Sequence, residues 1–143
     1  MFIGEYKISM DAKGRVAVPV KFRNNLAAGA VLTRGLDNSL FLYPKAEWEA
    51  IAGKLATLPL AQANSRAFAR LMLAGAWDVE IDKQGRMMVP DYLRQFAKLT
   101  KKVVAAGLYN RIEIWDEKTW EDYKANTEKE STAIAEALGG LGV

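Results

Sequence analysis

Two arginines occur in the same short motif, once in each half of the chain. Residues 11–15 read DAKGR, and residues 82–86 read DKQGR. A guanidinium group is planar and carries five donors, so it can bind a phosphate, or O6 and N7 of guanine, through two hydrogen bonds at once. A base contact of this kind contributes about 1–3 kcal/mol of discrimination. Arg15 and Arg86 are therefore candidates for nucleic-acid recognition.

The residues before each arginine predict how it is held. An aspartate side chain can accept a hydrogen bond from the backbone two residues ahead, and glycine permits a positive φ, so Asp-x-x-Gly predicts a tight turn. Asp11 and Asp82 can also hold the arginine in register. The alternative is that both motifs are only turns, with arginine exposed for solubility. Turn geometry does not explain an arginine that recurs with a proline four residues later, and we therefore favour recognition.

Other basic residues near the motifs are weaker candidates. Lys13 lies in the first turn and Lys83 in the second, where each can reach a phosphate or stay solvated. Arg23 and Arg94 also recur at equivalent positions. They could contact phosphate or pair with nearby acids, and for them we favour a structural role.

The two motifs belong to a repeat that covers most of the chain. DAKGRVAVPVKFR at 11–23 matches DKQGRMMVPDYLR at 82–94, an offset of 71 residues. RGLDNSLFLYPKAEW at 34–48 matches AGLYNRIEIWDEKTW at 106–120, an offset of 72. Two matched blocks in the same order indicate an internal duplication.

Each repeat predicts four short strands and one short helix that follows a proline. The predicted strands are residues 3–10, Arg15–Val18, Val31–Arg34 and Leu40–Tyr43, then 76–81, Arg86–Val89, Val103–Ala106 and Ile112–Trp115, and the helices are Val20–Leu26 and Tyr92–Leu99. Four short strands bury too little apolar surface to be stable alone. We therefore expect the halves to complete one another in one barrel about a pseudo-two-fold axis, with both arginines on one face.

The segments after each repeat predict further helices. A helix from Trp48 to Leu58 is stopped by Pro59, and a second helix spans about residues 64–74. Asp116 is the predicted N-cap of a C-terminal helix, and the last dozen residues are expected to be flexible.

Composition excludes several kinds of chemistry. The chain has 143 residues, the length of one domain, and contains no histidine and no cysteine. This excludes disulfides, Ser-His-Asp triads, thiolate nucleophiles and zinc sites built from Cys or His. The acidic residues from Glu113 to Asp122 lack the fixed spacing of a metal-binding loop, so a solvated helix face is favoured. We expect no enzyme activity, no metal site and no cofactor.

Hydropathy predicts a cytoplasmic protein, and the charge is distributed unevenly along the chain. Residues 1–112 hold 17 Lys/Arg and 9 Asp/Glu, whereas residues 113–143 hold 3 Lys and 8 Asp/Glu. A basic body with an acidic tail points to a polyanionic partner, but on charge alone we favour the alternative, a solvated surface with a polar terminal helix. Glu5 interrupts any leader peptide, and apolar runs such as 71–77 are far shorter than the roughly 20 residues of a membrane span.

The chain resembles the MraZ family of bacterial transcriptional regulators from end to end. The resemblance is carried by MFIGEYKISMDAKGRVAVPVKFR, LFLYPKAEW, DKQGRMMVP and IEIWDEKTW. It implies an α+β fold, a mostly β pseudo-two-fold barrel of two AbrB-like repeats with interleaved hairpins and flanking helices. Residues 1–75 would hold the first repeat and two helices. Residues 76–143 would hold the second repeat, a C-terminal helix and a flexible tail, and the two parts would form one compact unit.

The resemblance also implies a function. Such a protein binds short direct repeats in double-stranded DNA upstream of the division and cell-wall gene cluster, associates with the nucleoid, and forms a ring of about eight or more subunits. The implied DNA-binding residues are Asp11, Lys13 and Arg15 in the first motif and Asp82 and Arg86 in the second. Lys83 joins these DNA-binding candidates because of its place in the second turn. The first motif ranks above the second, because Gln84 replaces its lysine. The alternative is a protein-binding module of antitoxin-like fold with no direct role at DNA.

Overall fold

The computed structural model describes residues 1–142. The strands are β1 (Phe2–Ser9), β2 (Arg15–Ala17), β3 (Ala30–Arg34), β4 (Leu40–Pro44), β5 (Trp77–Val79), β6 (Arg86–Met88), β7 (Lys102–Tyr109) and β8 (Ile112–Asp116). The helices are α1 (Val20–Leu26), α2 (Lys45–Ala56), α3 (Ala63–Leu73), α4 (Asp91–Phe96), α5 (Glu117–Lys129) and α6 (Ser131–Ala137), followed by a 3-10 turn at Gly139–Leu141. The protein is thus an α+β fold, as predicted.

The two repeats exchange strands. One antiparallel sheet has the order β1-β7-β8-β4-β3-β5, and a second sheet consists of β2 and β6. The first strand of each repeat therefore pairs with the third strand of the other, β1 with β7 and β5 with β3. The predicted interleaving is confirmed, and neither half can complete its sheet without the other.

The prolines after β2 and β6 place each strand end against the opposite turn. Pro19 and Pro90 lie at the N-caps of α1 and α4, where a residue without a backbone N–H can end a strand and begin a helix. Just before them, Val18 N donates to Gly85 O at 2.8 Å, and Val89 N donates to Gly14 O at 2.9 Å. These reciprocal bonds fix the two turns side by side.

Equivalent residues from both repeats form the main core. Val16 and Met87 are at most 1% exposed, and Phe22 makes edge-to-face contacts with Phe2 and Tyr6. Burying one such side chain stabilises the fold by about 1.5–3 kcal/mol. Buried core residues, among them Phe2, Val16, Val18, Phe22, Leu32, Leu40, Leu42, Met87, Val89, Leu93, Val103, Ile112 and Ile114, thus hold the interleaved strands together.

The helices after each repeat pack through aromatic residues. Trp48 of α2 contacts Tyr43 with ring centroids 5.9 Å apart. In the second repeat Trp120 of α5 contacts Trp115 with centroids 5.3 Å apart. The duplicated tryptophans therefore dock α2 and α5 onto equivalent strands.

Several element boundaries differ from the prediction, either because pairing with a distant strand sets them or because the local backbone conformation does. β7 runs to Tyr109, since all eight of its residues pair with β1. β5 is shorter than predicted and ends at Val79, although Ile81 still forms a bridge to Met87. α4 ends at Phe96 rather than Leu99, because Lys98 has a φ of +53°.

The C-terminal segment departs from the capping prediction in one detail. Asp116 does lie at the N-cap of α5, but its side chain forms no capping hydrogen bond with the helix. Its carboxylate instead accepts hydrogen bonds from Thr100. The residues of α6 are exposed, the predicted flexibility of the last dozen residues stays a prediction, and Val143 lies outside the described residues.

Candidate nucleic-acid interface

The first motif forms the predicted turn, and the side chain of Asp11 organises it. Asp11 Oδ1 accepts hydrogen bonds from the backbone N–H of Lys13 and of Arg15, both at 2.9 Å. Gly14 N donates to Asp11 O at 3.0 Å, and Gly14 has a φ of +83°. Because a positive φ is strained for residues with a Cβ, the turn requires glycine at this position.

The same carboxylate also holds the arginine that follows the turn. Arg15 Nε donates to Asp11 Oδ2 at 2.8 Å, and the Arg15 side chain is 30% exposed. A hydrogen bond through Nε uses one of the five guanidinium donors and sets the direction of the planar group. The remaining donors are on the terminal Nη atoms, which are the atoms that bind phosphate or guanine in a two-bond contact.

The second motif repeats this geometry. Asp82 Oδ1 accepts from Gln84 N and Arg86 N, both at 2.9 Å, and Asp82 Oδ2 accepts from Arg86 Nε at 3.1 Å. Gly85 has a φ of +77°, and the Arg86 side chain is 31% exposed. Both copies of the motif thus present an arginine in the same way.

The interleaved fold brings the two arginines onto one surface. In the β2–β6 pair Arg15 lies opposite Met88, and Arg86 lies opposite Ala17. Asp11 Oδ2 is 2.8 Å from Arg15 Nε and 4.0 Å from Arg86 Nη1. The predicted proximity is confirmed, and we call the surface formed by residues 11–15 and 82–86 the turn face.

The two aspartates of the turn face stay ionised at neutral pH. The backbone N–H of Arg15 is the main cause that lowers the pKa of Asp11, and the Arg15 guanidinium adds to it. Arg86 lowers the pKa of Asp82 in the same way, again mainly through its backbone N–H. Lys13 and Lys83 are exposed in the two turns, and within residues 1–142 neither lies within 4.0 Å of a carboxylate. The surface therefore has two anchored cations and two solvated ones.

Arg23 and Arg94 pack against the glycines of the two turns. Arg23 Nε donates to Val18 O at 2.9 Å, and a Cβ added to Gly85 would overlap the Arg23 guanidinium. Arg94 lies against Gly14 in the same way. Each arginine thus packs across the repeat boundary onto the other turn, which fits the structural role expected for it. The sequence analysis did not predict that these arginines leave no room for a Cβ at the two glycines. The only signal in the sequence is that the two glycines and the two arginines are separated by the same 71 residues.

Two further observations on residues 1–142 concern metal binding and membrane-spanning helices. Residues 1–142 contain no group of three or more Asp or Glu side chains placed to hold a metal ion. Within the same range no helix combines the length and the apolar character needed to cross a bilayer.

Comparison with known proteins assigns the chain to a family. The family model described as "MraZ protein, putative antitoxin-like" matches twice, over residues 1–71 and 72–140. A protein of Thermoanaerobacter sp. strain X514 named "Transcriptional regulator MraZ" is 49% identical over 143 residues, all of both chains. Proteins of the same name from Halothermothrix orenii and Acetivibrio thermocellus are 48% and 46% identical, again over the whole of both chains. The chain therefore belongs to the MraZ family of transcriptional regulators.

Proposed function

We propose that the protein regulates transcription by binding double-stranded DNA in a sequence-specific manner through the turn face. The observation that carries this proposal is the pair of arginines held on one surface, each by an aspartate that bonds its Nε. An arginine fixed in this way loses little side-chain entropy when it binds, because its direction is set beforehand. Two such groups on a rigid sheet suit the reading of base edges.

Each residue of the turn face has a distinct role in this proposal. Arg15 and Arg86 contact guanine edges or phosphates through their terminal nitrogens, while Asp11 and Asp82 orient them. Lys13 contacts phosphate beside the first turn. Lys83 contacts phosphate beside the second turn. The second turn has Gln84 at the position that Lys13 occupies in the first turn. We therefore rank the first turn as the stronger contact.

The target and the assembly follow from the family resemblance. We propose that the DNA carries short direct repeats upstream of the division and cell-wall gene cluster, and that the protein acts in the cytoplasm at the nucleoid. One chain makes few phosphate contacts, so a ring of about eight or more subunits would let several chains bind successive repeats and gain avidity. The acidic C-terminal helices face away from the DNA in this arrangement.

Footprinting on the DNA upstream of the protein's own gene tests the proposal. We expect protection of repeated short sites, and loss of protection for Arg15→Ala combined with Arg86→Ala. Lys54→Ala combined with Arg70→Ala is the matched control, because it also removes two exposed cations, which lie on α2 and α3 outside the turn face. If the double variant keeps its circular dichroism spectrum and still protects the sites as well as wild type, the assignment of the two arginines is wrong.

The alternative is an antitoxin-like module whose turn face binds another protein. The antitoxin-like character in the description of the matching family model supports this alternative. The two functions differ in their response to salt, because log K for DNA falls by about 0.9 per neutralised phosphate for each tenfold rise in salt. Retention of upstream DNA that does not change with salt would argue against a phosphate-dominated site.

A further inference from the structure

One loop beside the turn face is much more basic than its counterpart in the other repeat. Residues 98–102 read KLTKK, and we call them the lysine loop, which follows α4 and ends at Lys102, the first residue of β7. Lys98, Lys101 and Lys102 are exposed, and none of them lies within 4.0 Å of a carboxylate among residues 1–142. Three solvated cations on one short loop form a local positive patch.

The first repeat has no such patch. Its α1–β3 loop reads Ala27, Ala28 and Gly29 and leads into Ala30 at the start of β3. The repeat offset changes from 71 to 72 residues across this segment, so the lysine loop also contains one additional residue. The two repeats thus differ in charge and in length at the same place.

The lysine loop lies beside the first turn rather than the second. Met10 N donates to Lys101 O at 2.9 Å, and Ser9 lies opposite Lys102 in the β1–β7 pair. Met10 is the residue directly before Asp11, so the loop adjoins the start of the first turn. The equivalent approach to the second turn has Glu80 and Ile81, which line a cleft with Ala27, Ala28 and Gly29.

The lysine loop is also held in place by the body of the protein. Asp116 Oδ1 accepts hydrogen bonds from Thr100 N at 3.0 Å and from Thr100 Oγ1 at 2.6 Å, and Asp116 is 8% exposed. Pro44 occupies the equivalent position in the first repeat and offers no side-chain acceptor. A loop fixed before binding gives up less conformational entropy when it contacts a ligand.

We propose that the lysine loop contacts DNA phosphates next to the first turn only, and thereby gives the turn face a direction on the duplex. The inference rests on the proposed DNA-binding function. The aspartates and arginines that the two motifs share would by themselves fit a DNA site similarly in either orientation, because a pseudo-two-fold axis relates them. Additional phosphate contacts on one flank favour a single orientation, which is what tandem sites in the same direction require of successive subunits.

A salt titration tests the phosphate contacts. The test variant is K98Q, K101Q and K102Q combined, and the control is K54Q, K118Q and K129Q, which removes the same charge from exposed positions on α2 and α5. On a random-sequence duplex, three lost contacts lower the slope of log K against log salt by about 2.7, at about 0.9 each. We expect this decrease for the test variant and a much smaller one for the control. An equal slope for the two variants would overturn the inference.

A tethered cleavage experiment tests the direction. Because the chain has no cysteine, Ser9→Cys, at an exposed position on β1 two residues before the first turn and outside the turn face, provides a unique thiol for an iron–EDTA reagent. On a single site from the footprinted upstream region, we expect cleavage on one flank by the protein with its lysine loop intact, and cleavage on both flanks after the three Lys→Gln changes. Equal cleavage of both flanks by the intact protein would overturn the inference while leaving the proposed function standing. A wild-type protein that binds no upstream DNA would overturn the proposed function itself.

Discussion

Replacing Gly85 with alanine tests why each turn requires glycine. Gly85 has a φ of +77°, where a residue with a Cβ costs roughly 1–2 kcal/mol. The new Cβ would also overlap the guanidinium of Arg23 and displace it from Val18 O, to which Arg23 Nε donates at 2.9 Å. Losing a hydrogen bond from a charged group costs about 1.5–3 kcal/mol. We therefore expect Gly85→Ala to lower the free energy of unfolding by about 2.5–5 kcal/mol.

Urea unfolding of the full chain at neutral pH, followed by circular dichroism, measures this loss. The expected result is a lower midpoint with an unchanged m-value, since the surface exposed on unfolding stays the same. Gly53→Ala is the matched control, because Gly53 lies within α2 and a Cβ there would meet nothing within 4 Å. Alanine is favoured over glycine inside a helix by roughly 0.5–1 kcal/mol, so the control should raise the midpoint.

A double-mutant cycle separates the two causes at Gly85. In an Arg23→Ala background the overlap disappears, and Gly85→Ala should cost only the backbone part, about 1–2 kcal/mol. An unchanged midpoint for Gly85→Ala in the wild-type background would refute the reasoning about the turn. An equal cost in both backgrounds would refute the role of Arg23.

Three further predictions concern the turn, the lysine loop and the core. The pKa of Asp11 is lowered from 3.8, mainly because its carboxylate accepts a hydrogen bond from the Arg15 N–H. The stabilisation from this shift is therefore present above pH 3.8 and is lost as the pH falls through the lowered pKa. NMR titration should show an Asp11 carboxyl that protonates below pH 3.8, and Asp11→Asn should remove this part of the acid dependence of unfolding. Thr100→Val removes the hydroxyl that donates to the buried Asp116 carboxylate, while the backbone N–H of residue 100 remains, and it should cost about 1.5–3 kcal/mol in urea unfolding. Thr100→Ser keeps a hydroxyl donor and should cost much less. Phe22→Ala should cost about 3–5 kcal/mol, while Val20→Ala, at a side chain that is 73% exposed, should leave the midpoint nearly unchanged.

The turns could be predicted from the sequence because their interactions are local. Asp11 and Arg15 are four residues apart, and the aspartate bonds the backbone inside that span. Such a motif folds the same way wherever it occurs, and the second copy does so around Asp82. The proximity of Arg15 and Arg86 could be inferred only because the motif is duplicated, which implies a symmetric pairing of the halves.

The features that sequence reasoning missed depend on contacts between distant residues. The full length of β7 follows from its pairing with β1, which lies in the other repeat. The carboxylate of Asp116 bonds Thr100 rather than the N-terminus of its own helix, and this choice depends on where the α4–β7 loop passes. The contact of Arg23 with Gly85 joins two halves of the chain and leaves no local pattern.

A duplicated chain can do what a symmetric dimer of identical half-chains cannot. In such a dimer every loop occurs twice, so both turns would have the same neighbours and the bound complex would have no preferred direction. In this chain the symmetric features are those that the turn face needs on both sides, the Asp, Gly and Arg of each motif. The repeats diverge beside the turns, where Lys101 adjoins the first turn and Glu80 precedes the second. Covalent fusion therefore keeps the two turns paired while allowing their two flanks to carry different charge.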